Sequence, residues 1–200
     1  MKTLLVLALL ALALIAVQRG FLSFSAQSVT DYADTGPPMD IRRVLSGPMI
    51  SEGVIFGPTG RVTTRFVARM EGSWTGNSGT LSEHFIYDNG TDQRRLWHLK
   101  VNGDGSFVAT ADDIIGTGRG EQAGAVAHLT YRIRLPESAG GHVLDVTDWL
   151  YLMDNGTVMN RSEMRKFGIR VAELIATMRP DTEARMSPAP VGTEAMEPAQ

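Results

Sequence analysis

Cysteine is absent from this sequence. Its absence excludes a disulfide framework, a cysteine-ligated metal site, a thiol nucleophile and a lipid anchor on an N-terminal cysteine. An excess of basic charge is also lacking, because the formal net charge is −3 and residues 38–179 hold 16 acidic and 16 basic side chains. A body without net charge carries no electrostatic footprint for nucleic acid. We therefore expect no nucleic-acid partner.

The patterns that mark common catalytic and metal sites are missing as well. The histidines, at positions 84, 98, 128 and 142, share no metal-ligand spacing on one element. No serine lies in a nucleophile-elbow context, so covalent acyl chemistry has no support. We predict no metal site and no cofactor, and the residues identify no catalytic group.

The first residues contain one long apolar run. Lys2 is followed by Leu4–Val17, fourteen apolar residues in succession. As a helix this run spans about 21 Å, against about 30 Å for the hydrocarbon core of a bilayer. This length favours a signal peptide over residues 1–25, cut near Ser23–Ser25, with an N-terminal membrane anchor as the alternative. Either way we expect a cell-envelope protein that is periplasmic, exported or anchored to the inner membrane.

The rest of the chain divides by composition. Residues 26–40 are mostly small and polar and contain Gly36-Pro37-Pro38, which is typical of a linker. Residues 180–200 contain four prolines and few large apolar side chains, which predicts a disordered tail. Between them, residues 41–179 are expected to form one β-domain.

Short segments of alternating polarity fill this domain. In residues 61–71, Arg61, Arg65 and Arg69 alternate with apolar side chains, which is the period of a strand with one buried face. Turn signals such as Asn-Gly and Asp-Gly separate the segments. The pattern allows a helical turn at residues 162–167. We predict roughly nine antiparallel strands, at 51–56, 61–71, 79–87, 94–101, 106–112, 124–135, 142–153, 157–161 and 168–178.

Strands of this number and spacing close most economically into a barrel. We predict an all-β, antiparallel up-and-down barrel of about 8–10 strands, with a β-sandwich as the alternative. Such a barrel has no exposed edge and can hold a small ligand. The glycine-rich residues 116–124 lack the Lys-Ser/Thr ending and the following helix of a phosphate loop, so they are expected to be a loop or bulge between strands.

The segment EHFIYDNGTDQRRLWHL, residues 83–99, places charges among aromatics. An odd-numbered loop around Asn-Gly would bring Glu83 and Tyr87 to the same side of the sheet as Arg95 and Trp97. The aromatic side chains indicate that this side is the interior, while Arg94 points to solvent. Buried charges persist only when they are paired and hydrogen-bonded, so Glu83 and Arg95 are expected to form an interior pair.

Charges enter predicted inner faces further along the chain too. Asp148 lies among apolar residues in 143–152, and Glu173 lies among apolar residues in 169–175. With Arg161 nearby, the predicted interior holds three acids against two arginines. Two interpretations stay open: an ion-pair network that fixes the strand register, or a polar anchor in a ligand cavity.

Several motifs, in order, resemble the bacterial domain-of-unknown-function 3833 family. They are GVIFGPTGRVTTRF, GSWTG, EHFIYDNG, RRLW, ADDIIGTGRG, TDWLYLMD, NRSEMRKFG and the segment around Glu173. The resemblance covers about residues 45–179 and implies an exported protein with a lipocalin-like (calycin) barrel. The genes beside family members imply an association with fatty-acid or membrane lipid modification. The resemblance transfers no catalytic residue. Matching positions are Glu83, Tyr87, Arg95, Trp97, Asp113, Asp148, Trp149, Arg161, Lys166 and Glu173.

Three functions are compatible with these observations. The first is a binding module whose barrel holds a lipid or fatty acid, with Arg95 or Arg161 meeting a carboxylate. The second is a structural or assembly partner of a membrane lipid-modifying enzyme. The third is a lipid-directed isomerase or hydrolase that uses Glu83 or Asp148 as general base. A continuous interior cavity would favour the first and third, and a packed core the second.

Overall fold

The computed structural model describes residues 2–21 and 23–186. Ten strands form a closed antiparallel barrel, in which each strand pairs with its neighbours in sequence and the last strand pairs with the first. The predicted up-and-down barrel is confirmed, and the sandwich alternative is wrong. The strands are β1 (Gly47–Phe56), β2 (Val62–Thr75), β3 (Ser78–Tyr87), β4 (Asp92–Val101), β5 (Ser106–Thr110), β6 (Gly118–Ala123), β7 (Val126–Arg134), β8 (Val143–Leu152), β9 (Val158–Lys166) and β10 (Ile169–Pro180).

The alternation of strand direction places the turns at two opposite ends of the barrel. The end that we call closed is covered by a short helix, α2 (Ile41–Val44), which precedes β1. Ile41 is buried there, and its N–H donates to Oε1 of Gln122 on β6 over 3.0 Å. The opposite end, called the open end, carries the connections 57–61, 88–91, 111–117, 135–142 and 167–168.

The inner face of the barrel forms the main core. Side chains that alternate along the strands point inward, and the largest apolar cluster joins residues of nearly every strand. The pattern predicted for residues 61–71 is confirmed, because Phe66, Ala68 and Met70 are buried while Arg65 and Arg69 are exposed. Period-two alternation therefore identified the inner face of β2.

One strand was missed in the glycine-rich stretch. Residues 118–123, expected to be part of a loop or bulge, form β6 and pair with β5 and β7. A Cβ atom built on Gly120 would stand 2.2 Å from Cζ of Phe107 on β5. Glycine thus leaves room for the buried Phe107 ring, and the inner face of β6 has no apolar alternation to recognise.

The helical turn allowed at residues 162–167 is also wrong. β9 continues to Lys166 and pairs with β8 and β10 over this stretch. Its inward positions include the polar residues Asn160 and Ser162, and its outward positions carry charges. Because neither face of this part of β9 is consistently apolar, its strand period is hidden in the sequence.

An N-terminal helix and a packed segment precede the barrel in the chain. Lys2–Phe21 forms a helix, α1, and no helix among the described residues is both long and apolar enough to cross a membrane. Residues 26–40, expected to be a linker, pack on the wall instead: Val29 is buried with Trp149 of β8 in a second apolar cluster. After β10, Thr182–Met186 forms α3, and the remainder of the predicted disordered tail lies outside the described residues.

Candidate functional site

The interior of the barrel contains a cavity of about 460 Å³. Most of its lining is apolar and comes from strands on all sides, with α2 at the closed end. Thr63, Pro136 and Ala139 line it and are also exposed, so the cavity reaches the surface at the open end. The polar residues that contribute to its lining are Ser51, Thr63, Glu83, Tyr87, Gln93, Arg95, Trp97, Asp113, His128, Tyr131, Asp148, Asn160 and Ser162.

The predicted pair on the β3–β4 hairpin is present inside the barrel. Glu83 and Arg95 are direct cross-strand partners, with Nη1 of Arg95 3.5 Å from Oε2 of Glu83. The same carboxylate oxygen accepts a hydrogen bond of 3.2 Å from Nε1 of Trp97. Tyr87 lines the cavity beside them, and its hydroxyl donates to Oε1 of Gln93 over 2.9 Å. The inward positions predicted for Glu83, Tyr87, Arg95 and Trp97 are therefore confirmed.

A second carboxylate joins this cluster, and sequence reasoning missed it as a partner. β4 pairs with β5 only over His98–Val101, so its first half faces the connection 111–117. Asp113 lies in that connection and accepts from Nε and Nη2 of Arg95, with its shortest contact at 2.8 Å. Alternation cannot place a loop residue, although Asp113 does fall within the ADDIIGTGRG motif.

Asp148 of β8 provides the fourth charged group of the cavity. Its Oδ1 atom is buried and has no hydrogen-bond partner among the described residues. The hydroxyls of Ser162 and Tyr131 and the positive charge of Arg95 favour its ionised form, but burial outweighs them and raises the pKa of Asp148. Asp148 therefore contributes a buried acceptor for which the described residues provide no hydrogen bond.

The electrostatics of the cluster are dominated by burial. Burial raises the pKa of Glu83 to about 7, against the attraction of Arg95 and the hydrogen bond from Trp97. Burial acts against the charge of Arg95, yet the neighbouring Glu83, Tyr131 and Asp113 hold its pKa above the ordinary value. One guanidinium thus faces three carboxyl groups, and Glu83 titrates near neutral pH.

Two predicted site residues lie on the other side of the wall. Arg161 and Glu173 point outward, where Nε of Arg161 contacts Oε1 of Glu173 at 2.7 Å. Their predicted interior positions are therefore wrong. The inner face of β10 is formed by Ala172, Leu174, Ala176 and Met178. The strand carries apolar residues on both faces, since Val171 and Ile175 accompany Glu173 on the outer one, and it contains a bulge near Ala172. Alternation alone therefore does not show which face is inward.

The outward arginine instead holds the N-terminal segment. The guanidinium carbon of Arg161 lies 4.5 Å from the centroid of the buried Phe24 ring. This cation–π contact fixes residues 23–26 against β9. Arg161 therefore has a structural contact outside the barrel and cannot reach a ligand in the cavity.

The residues of the cavity suit a ligand with one polar group better than an ion. Among residues 2–21 and 23–186, no three His, Asp or Glu side chains converge as a metal site. The carboxyl groups of Glu83 and Asp148 can accept hydrogen bonds, and Glu83 can exchange a proton near neutral pH. The surrounding apolar wall can enclose hydrocarbon.

Comparisons with known proteins give a fold and a family. The fold is similar to that of the S-type phycobiliprotein lyase CPES from Guillardia theta, with a TM-score of 0.54, 9% sequence identity, and coverage of 78% of this chain and 98% of that one. Rv2717c from M. tuberculosis is matched with a TM-score of 0.48, 18% identity, and coverage of 74% and 99%. At 9% identity, the likeness to the lyase shows the fold alone, which is lipocalin-like as predicted.

Searching the curated proteins gives no match. A family model does match: the one described as "Protein of unknown function (DUF3833)" aligns with residues 19–180. This range contains the whole barrel and the packed N-terminal segment. The chain therefore belongs to the DUF3833 family, as the order of its motifs indicated.

Proposed function

We propose that this protein is a non-enzymatic binding module that holds a lipid or fatty-acyl molecule inside its barrel. The observation that carries the proposal is the cavity of about 460 Å³, which has apolar walls and is lined by Asp148, whose buried Oδ1 has no hydrogen-bond partner among the described residues. Ligand cavities in proteins have volumes of about 300–1,000 Å³ and combine apolar walls with a few polar groups. An acyl chain would lie along the apolar wall, with its polar group beside Asp148.

The charge balance of the cavity defines the polar group that would fit. Arg95 already binds Asp113 through Nε and Nη2 and contacts Glu83 through Nη1. A ligand carboxylate would add a fourth acidic group around one guanidinium. A hydroxyl or amide would instead donate to Asp148 Oδ1 and satisfy it. We therefore propose an acyl alcohol, amide or similar neutral derivative, in place of the free carboxylate expected at Arg95 or Arg161.

The cavity also bears on the two alternatives. A purely structural partner was expected to have a packed core, and the interior cavity argues against that. Proton transfer has one favourable observation, since Glu83 has a pKa of about 7 and is positioned by Trp97. If Glu83 acts as a general base on a bound lipid, Glu83→Gln should change the cell's lipid profile as a deletion does. Wild-type lipids from a folded Glu83→Gln chain would exclude that role.

The cell-envelope location remains part of the proposal. It is supported by Lys2 and the apolar run Leu4–Val17 at the start of the chain. Association with membrane lipid-modifying enzymes also stays a prediction, supported only by the genes that accompany similar sequences. Fractionation of cells expressing the full chain tests the location directly.

Competition between two ligands of equal chain length tests the proposed function. A fluorescent fatty-acyl probe would be bound to the purified full chain and displaced with hexadecanol or with palmitate. We expect hexadecanol to displace the probe more strongly than palmitate does at about pH 8. At about pH 5, where both Glu83 and the fatty acid gain protons, displacement by palmitate should increase. Failure of any acyl compound to bind would overturn the proposal. Stronger displacement by palmitate at about pH 8 would overturn the assignment of a neutral polar group.

A further inference from the structure

The turn between β9 and β10 contains a residue that the fold does not explain. Phe167 and Gly168 form a two-residue loop, and both have positive φ angles, 53° and 77°. This is the pattern of a type I′ turn, whose first position favours Asn, Asp or Gly and in which a bulky residue is strained. The Phe167 side chain is 91% exposed, so no packing within the described chain compensates for the strain.

The surroundings of Phe167 are apolar at the tip and basic at the base. Ile169, the next side chain after the turn, is 68% exposed. Nζ of Lys166 lies 5.8 Å from the Phe167 ring centroid and 3.0 Å from Nδ1 of His142. Residues 161–173 contain four basic side chains and two acidic ones, so the hairpin is positively charged. The basic residues are Arg161, Arg165, Lys166 and Arg170, and the acidic residues are Glu163 and Glu173.

The ion pairs of the hairpin leave the charge nearest the tip available. Glu163 contacts Arg165 and Arg170, and Glu173 contacts Arg161 and Arg170. Lys166 has no carboxylate partner among the described residues. The unneutralised ammonium therefore stands directly beside the exposed aromatic ring.

The position of this hairpin links it to the cavity. The β9–β10 turn lies at the open end, where the exposed Thr63, Pro136 and Ala139 line the cavity. Phe56, the last residue of β1, pairs with Glu173, so β10 begins four residues earlier and projects past β1. At about 3.3 Å per residue, the tip extends roughly 13 Å beyond that pair.

We propose that residues 166–169, the hairpin tip, dock on the surface of an anionic lipid bilayer. Phe167 and Ile169 enter the interfacial region while Lys166 meets the lipid phosphates. Apolar side chains flanked by basic ones bind such surfaces, since burial of apolar area adds to attraction by anionic headgroups. A protein partner is a poorer fit, because a stable interface buries about 800 Å² on each partner and this tip presents two apolar side chains.

Docking of the tip does not require a ligand in the cavity, so it stands apart from the proposed function. The two are compatible in geometry, because the open end would face the bilayer from which a lipid is taken or to which it is delivered. A chain that docks but binds no acyl compound would retain this inference and lose the other.

A local fluorescent probe tests the docking, because α1 is itself apolar and could hold the whole chain on vesicles. The chain has no cysteine, so Phe167→Cys accepts a single environment-sensitive nitrobenzoxadiazole label at the tip. Asn155→Cys, in the turn between β8 and β9 at the closed end, gives the matched control. Both full chains would be mixed with vesicles of phosphatidylcholine alone, or of phosphatidylcholine with phosphatidylglycerol.

We expect the emission of the label at residue 167 to shift to the blue and intensify with phosphatidylglycerol vesicles, and to change less with phosphatidylcholine alone. The label at residue 155 should keep its aqueous spectrum. Adding Lys166→Glu to the labelled Phe167→Cys chain should reduce the apparent affinity for anionic vesicles several-fold. An aqueous spectrum at residue 167 with both vesicle types, or equal shifts at the two positions, would overturn the proposal.

Discussion

The guanidinium of Arg95 lies closer to Asp113 than to Glu83, although Glu83 is its direct cross-strand partner. Nη2 is 2.8 Å from Oδ2 of Asp113, whereas Nη1 is 3.5 Å from Oε2 of Glu83. Arg95 therefore joins the wall of the barrel to the connection between β5 and β6. Burial raises the pKa of Glu83 to about 7, and the attraction of Arg95 offsets this rise only in part.

Replacing Arg95 should destabilise the protein strongly. Arg95→Met leaves the buried carboxyl groups of Glu83 and Asp148 without their cation, and loss of one partner of a buried pair typically lowers the free energy of unfolding by about 3–5 kcal/mol. Arg132→Met is the matched control, because its ion pair with Asp145 is exposed on the outer face and should contribute about 1 kcal/mol or less. Urea unfolding followed by tryptophan fluorescence measures both. Equal losses would contradict the inward and outward placements.

The titration of Glu83 should make stability fall as the pH rises. Its pKa is raised from 4.5 to about 7 in the folded state. Its contribution is then fully present below the unfolded pKa and is lost as the pH rises through the folded value. From about pH 4.5 to about pH 7.5, this group should lower the free energy of unfolding by on the order of 3 kcal/mol. Glu83→Gln should remove that slope.

The quantity to measure is the difference between the wild type and Glu83→Gln. Burial lowers the pKa of His128, which gives stability a slope of the opposite sign, but this contribution is common to both chains and cancels. Glu71→Gln, on the exposed outer face of β2, serves as the control. A difference that does not vary with pH would show that Glu83 does not titrate as described.

The strained turn residue should respond to a simple replacement. Phe167→Asn places a residue that tolerates positive φ at the first position of the type I′ turn, and should raise the free energy of unfolding by about 1 kcal/mol. Phe167→Ala removes the same ring without this preference and should leave stability nearly unchanged. Thermal unfolding of the three chains makes the comparison. A loss of stability with Asn would mean that the Phe167 ring stabilises the fold.

The close approach of β6 to β5 also gives a prediction. Gly120→Ala would place a Cβ atom against the Phe107 ring, and should lower the free energy of unfolding by about 1–3 kcal/mol. Gly103→Ala is the control, since an added Cβ meets no atom within 4 Å there. Denaturant unfolding of both variants decides whether Gly120 is needed for packing or only for a flexible loop.

Sequence patterns predicted the barrel because most strands have one consistently apolar face. They also placed Glu83 and Arg95 correctly, since the aromatics around them defined the inner face of the hairpin. Prediction failed for strands whose two faces do not differ clearly in polarity. β10 carries apolar residues on both faces, so Glu173 was assigned to the wrong side of the wall. Gly120 and Ser162 occupy inward positions without apolar side chains, which concealed β6 and the second half of β9.

The candidate site could be predicted only where it lies on regular strands. Glu83, Arg95 and Asp148 follow from alternation, whereas Asp113 lies in a connection whose path depends on the short length of β5. The outward contact between Arg161 and Phe24 depends on how the N-terminal segment crosses the wall. Tertiary packing of irregular segments leaves no local period in the sequence.

The central claim, that the barrel holds a lipid in its cavity, is tested most directly by native mass spectrometry of two variants on one strand. Leu174 lines the cavity and its neighbour Ile175 is 37% exposed on the outer face. With an added acyl alcohol, we predict a one-to-one complex for the wild type and for Ile175→Trp, and a weakened or lost complex in a folded Leu174→Trp chain, whose indole enters the cavity and obstructs the ligand. Binding that is absent from all three chains, or equal in both variants, would contradict the account.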